Sequence, residues 1–409
     1  MKKINVRFLL TALALLTVSC GKPEKKQPGV NLADKQQGGT TNRSLPGDDD
    51  KTRDTVKWKA ETGKLLSGAA SVSFDPVNDT IYLFARDSVY AKNINSGKLK
   101  ASGYRTGGHP VMAGNQSLFI GNWLNSARVL NYYLDRKAVA LFDLHTLCWN
   151  AGFPYPDTVT DYWQTNKFYS HGDTSVYVLG GYGHYRYRNE VFRYSLNTGK
   201  WEKMNAGGDF FRPRYLSALG AAERGAYVLG GYGSAQGRQL LGARNFYDMM
   251  FYDVGSKTFR KLYDLNFDKA VTFANSMIVD EKSGLFYALA FENHKYNSSL
   301  RLIEGALHKP VFRWVGDEIP YLFNDITSFS DLFYSPKSKK LIAVTMLMKG
   351  DKTEVKLYSL MMPRHLSSGD EQPTGPGKAR VELGPESALL IFGAVLFFLL
   401  FLKLHKRPL

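Results

Sequence analysis

The sequence is poor in cysteine. Cys20 and Cys148 are the only two in 409 residues. That excludes a disulfide framework and any zinc site built on several thiolates. Histidine is sparse too: His109, His145, His171, His184, His294, His308, His365 and His405 lie scattered, with no pair at metal-ligand spacing. No metal and no cofactor is therefore expected. No Walker loop and no Gly-x-Ser-x-Gly elbow occurs, so the nucleotide-hydrolase and serine-hydrolase signatures are missing. Long apolar runs are absent except at the two ends. What is abundant is aromatic residues, at 13%, and glycine, 38 in all. That mixture suits many short strands joined by tight turns.

The ends carry membrane signals. Residues 1–20 begin with Lys2, Lys3 and Arg7, continue as an apolar run from Phe8 to Leu16, and close on Thr17-Val-Ser-Cys20. The run is too short to span a bilayer and reads as a secretory signal. Its close resembles a bacterial lipobox, which makes Cys20 a lipidation site, although Thr17 replaces the usual leucine. At the other end, residues 387–404 form an apolar transmembrane helix, followed by a basic tail at 405–409. The positive-inside rule puts that tail in the cytoplasm and the rest of the chain outside it, in a bacterial cell envelope, at the inner membrane with the body in the periplasm. Residues 21–55 are polar and read as a flexible tether, and 364–386 as a Pro/Gly linker. The formal charge is +16, and the two ends account for six of these charges. An exported basic body meets anionic surfaces rather than chromosomal DNA, so no nucleic-acid partner is expected.

The body, 56–363, repeats. Ser175-Val-Tyr-Val-Leu-Gly-Gly-Tyr-Gly183 and Gly225-Ala-Tyr-Val-Leu-Gly-Gly-Tyr-Gly233 lie 50 residues apart. Weaker copies of the strand occur at 81–84, 118–121, 286–289 and 341–344. Anchored at 82, 118, 177, 227, 287 and 342, the gaps are 36, 59, 50, 60 and 55. A second strand follows each anchor, and an aromatic pair seven residues apart brackets a turn: Tyr194 and Trp201, Phe142 and Trp149, Tyr252 and Phe259, with Lys92 and Leu99 as a weaker fourth. Such a period fits a four-stranded unit that cannot bury its faces alone and must stack on its neighbours.

These residues resemble the kelch repeat. An apolar strand ending in Gly180-Gly181, a variable loop, a strand carrying Tyr194, a turn and Trp201 follow its order. The resemblance implies an all-β fold, a kelch-type β-propeller of six blades. Residues 55–60 have no blade of their own and are expected to supply the outer strand of the last one. The double glycine is expected to allow close backbone approach near the axis, and the Tyr and Trp to fill the space between blades.

Loops between the second and third strands of a blade share a face with the connections between blades. Here those loops hold Tyr182, His184, Tyr185, Arg186, Tyr187 and Arg188, then Tyr232, Arg238 and Arg244. The connection between them holds Phe210, Phe211, Arg212 and Arg214. From 172 to 247 there are ten Lys/Arg and five Asp/Glu. Tyr and Arg supply large rigid contact area and planar donors, so this rim is the candidate ligand-binding site for a protein partner or an anionic glycan. Some kelch-like propellers are copper-radical oxidases, which need a Tyr–Cys cross-link. Cys148, beside Trp149, reads instead as a packed thiol, and no catalytic residue is assigned. The leading expectation is a non-enzymatic recognition module tethered by a lipid and a helix. A sensor half of a membrane-spanning signalling or transcriptional regulator whose output domain is missing is the alternative. A carbohydrate-active enzyme is third.

Overall fold

The computed structural model describes residues 56–105, 115–152 and 160–362. The segments expected to form the export signal, the tether, the linker, the membrane helix and the basic tail lie outside these residues. Among the described residues no helix is long and apolar enough to cross a membrane. Two single 3₁₀ turns, Leu134–Arg136 and Asp325–Thr327, are the only helical pieces there. The rest is strand and turn.

The described residues form six four-stranded antiparallel units that follow one another along the chain. Four are separate sheets; the other two share a ten-stranded sheet, joined by the single parallel pairing of Leu219 with Ser276. Numbered from the N-terminus, the units are the blades of a propeller. In blade 3 the strands run Asn166–Ser170, Ser175–Leu179, Val191–Ser195 and Lys200–Met204, from the axis outwards. The second strand is buried at every position, because neighbouring blades cover both its faces. The outermost strand is mostly exposed. This is why second strands read as unbroken apolar runs and outer strands as mixed ones.

Blade 6 closes the ring. Its chain-consecutive strands are Ser328–Ser335, Lys340–Lys349 and Lys352–Met361, and its fourth, outermost strand is Lys59–Ser67 from the start of the body. Gly63 lies opposite Lys356 and Ser67 opposite Lys352. The expected closure by the unassigned N-terminal segment is present, shifted a few residues along the chain.

Six apolar clusters fill the six gaps between blades. Phe84, Phe142 and Trp149 join blades 1 and 2; Ile120, Tyr132, Val178 and Phe192 join 2 and 3; Tyr177, Tyr252 and Phe259 join 3 and 4. Phe273 and Tyr227 lie between 4 and 5, Leu289 and Leu341 between 5 and 6, and Val72 and Val344 between 6 and 1. The last cluster shows that the ring is shut by packing as well as by the shared sheet.

The aromatic pairs keep their register. Tyr194 and Trp201, Phe142 and Trp149, Tyr252 and Phe259, and Lys92 and Leu99 are each direct cross-strand partners. Their rings face the preceding blade: Trp149 lies edge-on to Phe84 at 5.7 Å, and Trp201 to Tyr132 at 6.3 Å. Such pairs add to area burial through ring geometry. One repeat is placed differently from expectation. Residues 118–121 belong to the innermost strand of blade 2, Ser117–Trp123, and the second strand is Ser126–Tyr133. Moving that anchor about one strand length along evens out the short first gap and the long second one.

Cys148 is also placed differently. It starts the outer strand of blade 2, half-buried, with its Sγ 3.5 Å from the carbonyl of Thr146, and is not a core thiol.

Candidate functional site

The face carrying the loops between second and third strands is organised by backbone hydrogen bonds. Tyr187 N–H donates to Gly237 O at 2.8 Å, and Gln239 N–H to Tyr185 O at 3.0 Å. Between them Arg186 pairs with Arg238 in an isolated antiparallel bridge. The loops of blades 3 and 4 are thereby joined into one ridge. The connection between the blades is tied in below: Arg214 N–H donates to Arg188 O, and Gly181 N–H to Arg214 O, both at 2.9 Å. All three segments expected on one rim do meet.

The double glycines explain how they can. Gly180 and Gly181 have φ of +67° and +109°, and Gly230 and Gly231 +55° and +122°. These are conformations that side chains resist. A Cβ on Gly181 would stand 2.8 Å from Thr165 Cγ2, and one on Gly231 would overlap Ser217 Oγ. Space at this turn is taken by the chain of the neighbouring connection.

The candidate residues then divide. Arg214 is a correction to the expected rim: its side chain is fully buried. It grips Asp248 with both terminal nitrogens, Nη1 to Oδ1 at 2.5 Å and Nη2 to Oδ2 at 2.9 Å, and Nη1 also donates to Gly230 O at 3.0 Å. Its guanidinium lies 4.9 Å from the Phe211 ring and 4.7 Å from that of Phe246. Burial pushes Asp248 up, but the Arg214 hydrogen bonds and charge outweigh it and hold the carboxyl below its ordinary range. Arg214 is a staple between blades 3 and 4. Phe211 and Tyr187 are likewise buried rather than displayed; Phe211 stacks on Phe259 at 4.6 Å. Phe210 is exposed but stands away from the ridge. Its segment runs beside the outer strand of blade 4, with Gly207–Gly208 paired to Thr258 and Phe259. Arg212 is half-buried, 3.6 Å from Asp248.

Tyr182 and Tyr232 are half-buried members of a tyrosine cluster that includes Tyr187 and Tyr215, with ring centroids 5.1–6.3 Å apart. Tyr182 Oη donates to Gln239 Oε1 at 2.9 Å, and Tyr215 Oη to Asp325 Oδ1 at 2.8 Å. Burial raises the Asp325 carboxyl above its usual value, against the Tyr215 hydrogen bond. Arg188 is occupied by Asp161 at 2.9 Å, and His184 Nδ1 lies 2.5 Å from the same Oδ1. Burial opposes ionisation of Asp161, yet the His184 hydrogen bond and the Arg188 charge lower it overall.

Five candidates remain displayed on the ridge: His184, which is paired with Asp161, and Tyr185, Arg186, Arg238 and Arg244. None of the three arginines has an acidic partner among the described residues. Gly183 pairs with Arg186 around a two-residue turn in which His184 and Tyr185 have φ of +46° and +60°. Such a turn favours Asn-Gly; His-Tyr in it is strained and lifts Tyr185 to 75% exposure. Beside them Leu240 is 90% exposed and Leu241 46%. The sequence reading passed over these leucines, though an apolar pair in a polar loop was a visible signal. It also missed Asp161, Tyr215 and Asp325, which no local pattern marks.

Among the described residues no group of three or more His, Cys, Asp or Glu could hold a metal ion.

The fold and the ridge define an all-β propeller. Residues 170–206, which hold the three outer strands of blade 3, match the Kelch motif model. A rice protein, tRNA wybutosine-synthesizing protein 2/3/4 from Oryza sativa subsp. japonica, is 39% identical over 57 residues. That stretch is 14% of this chain and 6% of the rice protein. A solved structure titled "Structure of YjhT" aligns over 72% of this chain and 94% of its own, with 12% identity and a TM-score of 0.42.

Proposed function

We propose that the chain is a membrane-tethered recognition module. It would hold its propeller outside the cytoplasm and bind a protein partner with an acidic surface through the ridge. One observation carries this: two loops from different blades are joined by backbone hydrogen bonds so that Arg186 and Arg238 stand side by side with no acidic partner among the described residues. Like charges at directly opposite positions disfavour each other. A ligand carboxylate removes that repulsion. Exposed Tyr185 beside the arginines, with Leu240 and Leu241 adding apolar area, favours a protein over a glycan, because Tyr and Arg are enriched contact types of protein interfaces. The tethering rests on Cys20 and residues 387–404 of the sequence.

The test is capture by the tagged full chain from envelope extract. Wild type is compared with Arg186→Ala/Arg238→Ala/Arg244→Ala and with Leu240→Ser/Leu241→Ser. Loss of one captured protein in both variants, with unchanged melting temperature, supports the reading. Capture that is indifferent to all five substitutions rejects the ridge.

A further inference from the structure

Lys137 ends the 3₁₀ turn Leu134–Arg136 between the second and third strands of blade 2, in the left-handed region with φ +51°. Its side chain reaches into blade 3. The Nζ stands 3.5 Å from the Phe192 ring centroid, 5.7 Å from Trp201 and 5.9 Å from Tyr162. Cations within about 6 Å of an aromatic centroid are attracted by the ring face. These three rings come from three different elements and form walls: Tyr162 and Phe192 meet at 90° with centroids 5.7 Å apart. Trp201 is braced by Tyr194 at 5.3 Å, and Tyr162 is backed by the Arg188 guanidinium at 5.3 Å.

The box offers ring faces and few acceptors. Lys137 Nζ has three N–H donors. Among the described residues it has no hydrogen-bond acceptor and no carboxylate at ion-pair distance. Asp135 and Glu190 act on it only as nearby charges, and burial against the rings outweighs them and lowers its basicity. Glu190 Oε2 is itself buried without a hydrogen-bond partner among the described residues. Lys137 is exposed, so its donors turn to water, and settling further onto the rings would cost the ammonium that hydration. A cation without donors loses nothing there, and still gains the ring faces and the field of the two carboxylates.

We propose that Tyr162, Phe192 and Trp201 form a binding site for a quaternary ammonium group, which Lys137 occupies as an internal stand-in until a ligand displaces it. The ligand would be a trimethylammonium compound of the choline type, either free or as a lipid headgroup. This site is separate from the arginine ridge and does not depend on it.

The test is calorimetric titration of the full chain in detergent with choline and with its uncharged isostere 3,3-dimethylbutanol. The Lys137→Gly variant removes the stand-in and suits the left-handed backbone. Wild type is expected to bind choline, and Lys137→Gly to bind it about tenfold more tightly, since the closed state no longer competes. The isostere should bind neither. Adding Trp201→Leu, or Tyr162→Leu if the first variant does not fold, should abolish choline binding in the Lys137→Gly background. Phosphatidylcholine vesicles then separate the sources: Trp201-dependent sedimentation assigns a lipid headgroup, and its absence with choline binding retained assigns a soluble ligand. Equal binding of choline and the isostere, no choline binding by wild type, or no gain in Lys137→Gly would each overturn the proposal.

Discussion

Arg214 is the residue whose role differs most between sequence and structure, and its replacement gives the sharpest test of the fold. Changing Arg214→Met removes both contacts to Asp248, the contact to Gly230 O and the bond from Nε to Arg212 O at 2.9 Å. Asp248 is left 2% exposed in its side chain, with Arg212 Nη1 at 3.6 Å as its remaining counter-charge. Breaking a buried pair from one side costs about 3–5 kcal/mol. At about 2–3 °C per kcal/mol for a body of this size, the melting temperature should fall by roughly 6–15 °C. The double variant Arg214→Met/Asp248→Leu removes the orphaned charge as well and should recover at least half of the loss, because the two residues act as one unit. Acid adds a second readout. The folded pKa of Asp248 lies below its unfolded value, so its ionisation stabilises the fold above about pH 4, and that contribution is lost as pH falls through the folded pKa. The double variant lacks this component of the acid transition. Melting followed by circular dichroism between neutral and acid pH measures both effects. A single variant within about 1 kcal/mol of wild type, or a double variant no better than the single, would refute the staple.

Gly231→Ala should prevent folding or lower the melting temperature severely, because its φ of +122° and the position of Ser217 leave no room for a Cβ. Gly242→Ala, with φ +65° and nothing within 4 Å, should cost only about 1 kcal/mol. Comparing their melting curves separates crowding from backbone preference alone.

The register of the outer strands was legible because it is local. Tyr194 and Trp201 are seven residues apart and joined by one turn, so sequence spacing and strand pairing are the same fact. Blade 2 was misplaced by one strand because Leu118-Phe-Ile-Gly121 copies the apolar run and glycine of a second strand. The true one, Ser126–Tyr133, ends in Asn131-Tyr-Tyr with no glycine pair. The rim was legible as a neighbourhood, since blade topology alone brings its three segments together. Which arginines face solvent was not. Arg214 is buried by Asp248, which stands 34 residues away on the third strand of the next blade. Arg188 is neutralised by Asp161, 27 residues before it in the preceding connection. Arg186 and Arg238 carry the same local signal and have no such partner among the described residues.

The ring is closed by the first strand of the body, Lys59–Ser67, paired to Lys352–Met361. Leu65 lies directly opposite Glu354 in that closure; Leu65 is exposed and Glu354 half-buried. With Cys20 and Cys148 replaced by serine, Leu65→Cys/Glu354→Cys should form a disulfide within one chain under mild oxidation and raise the unfolding temperature. Thiols that stay free, or that link only different chains, would contradict the closed propeller.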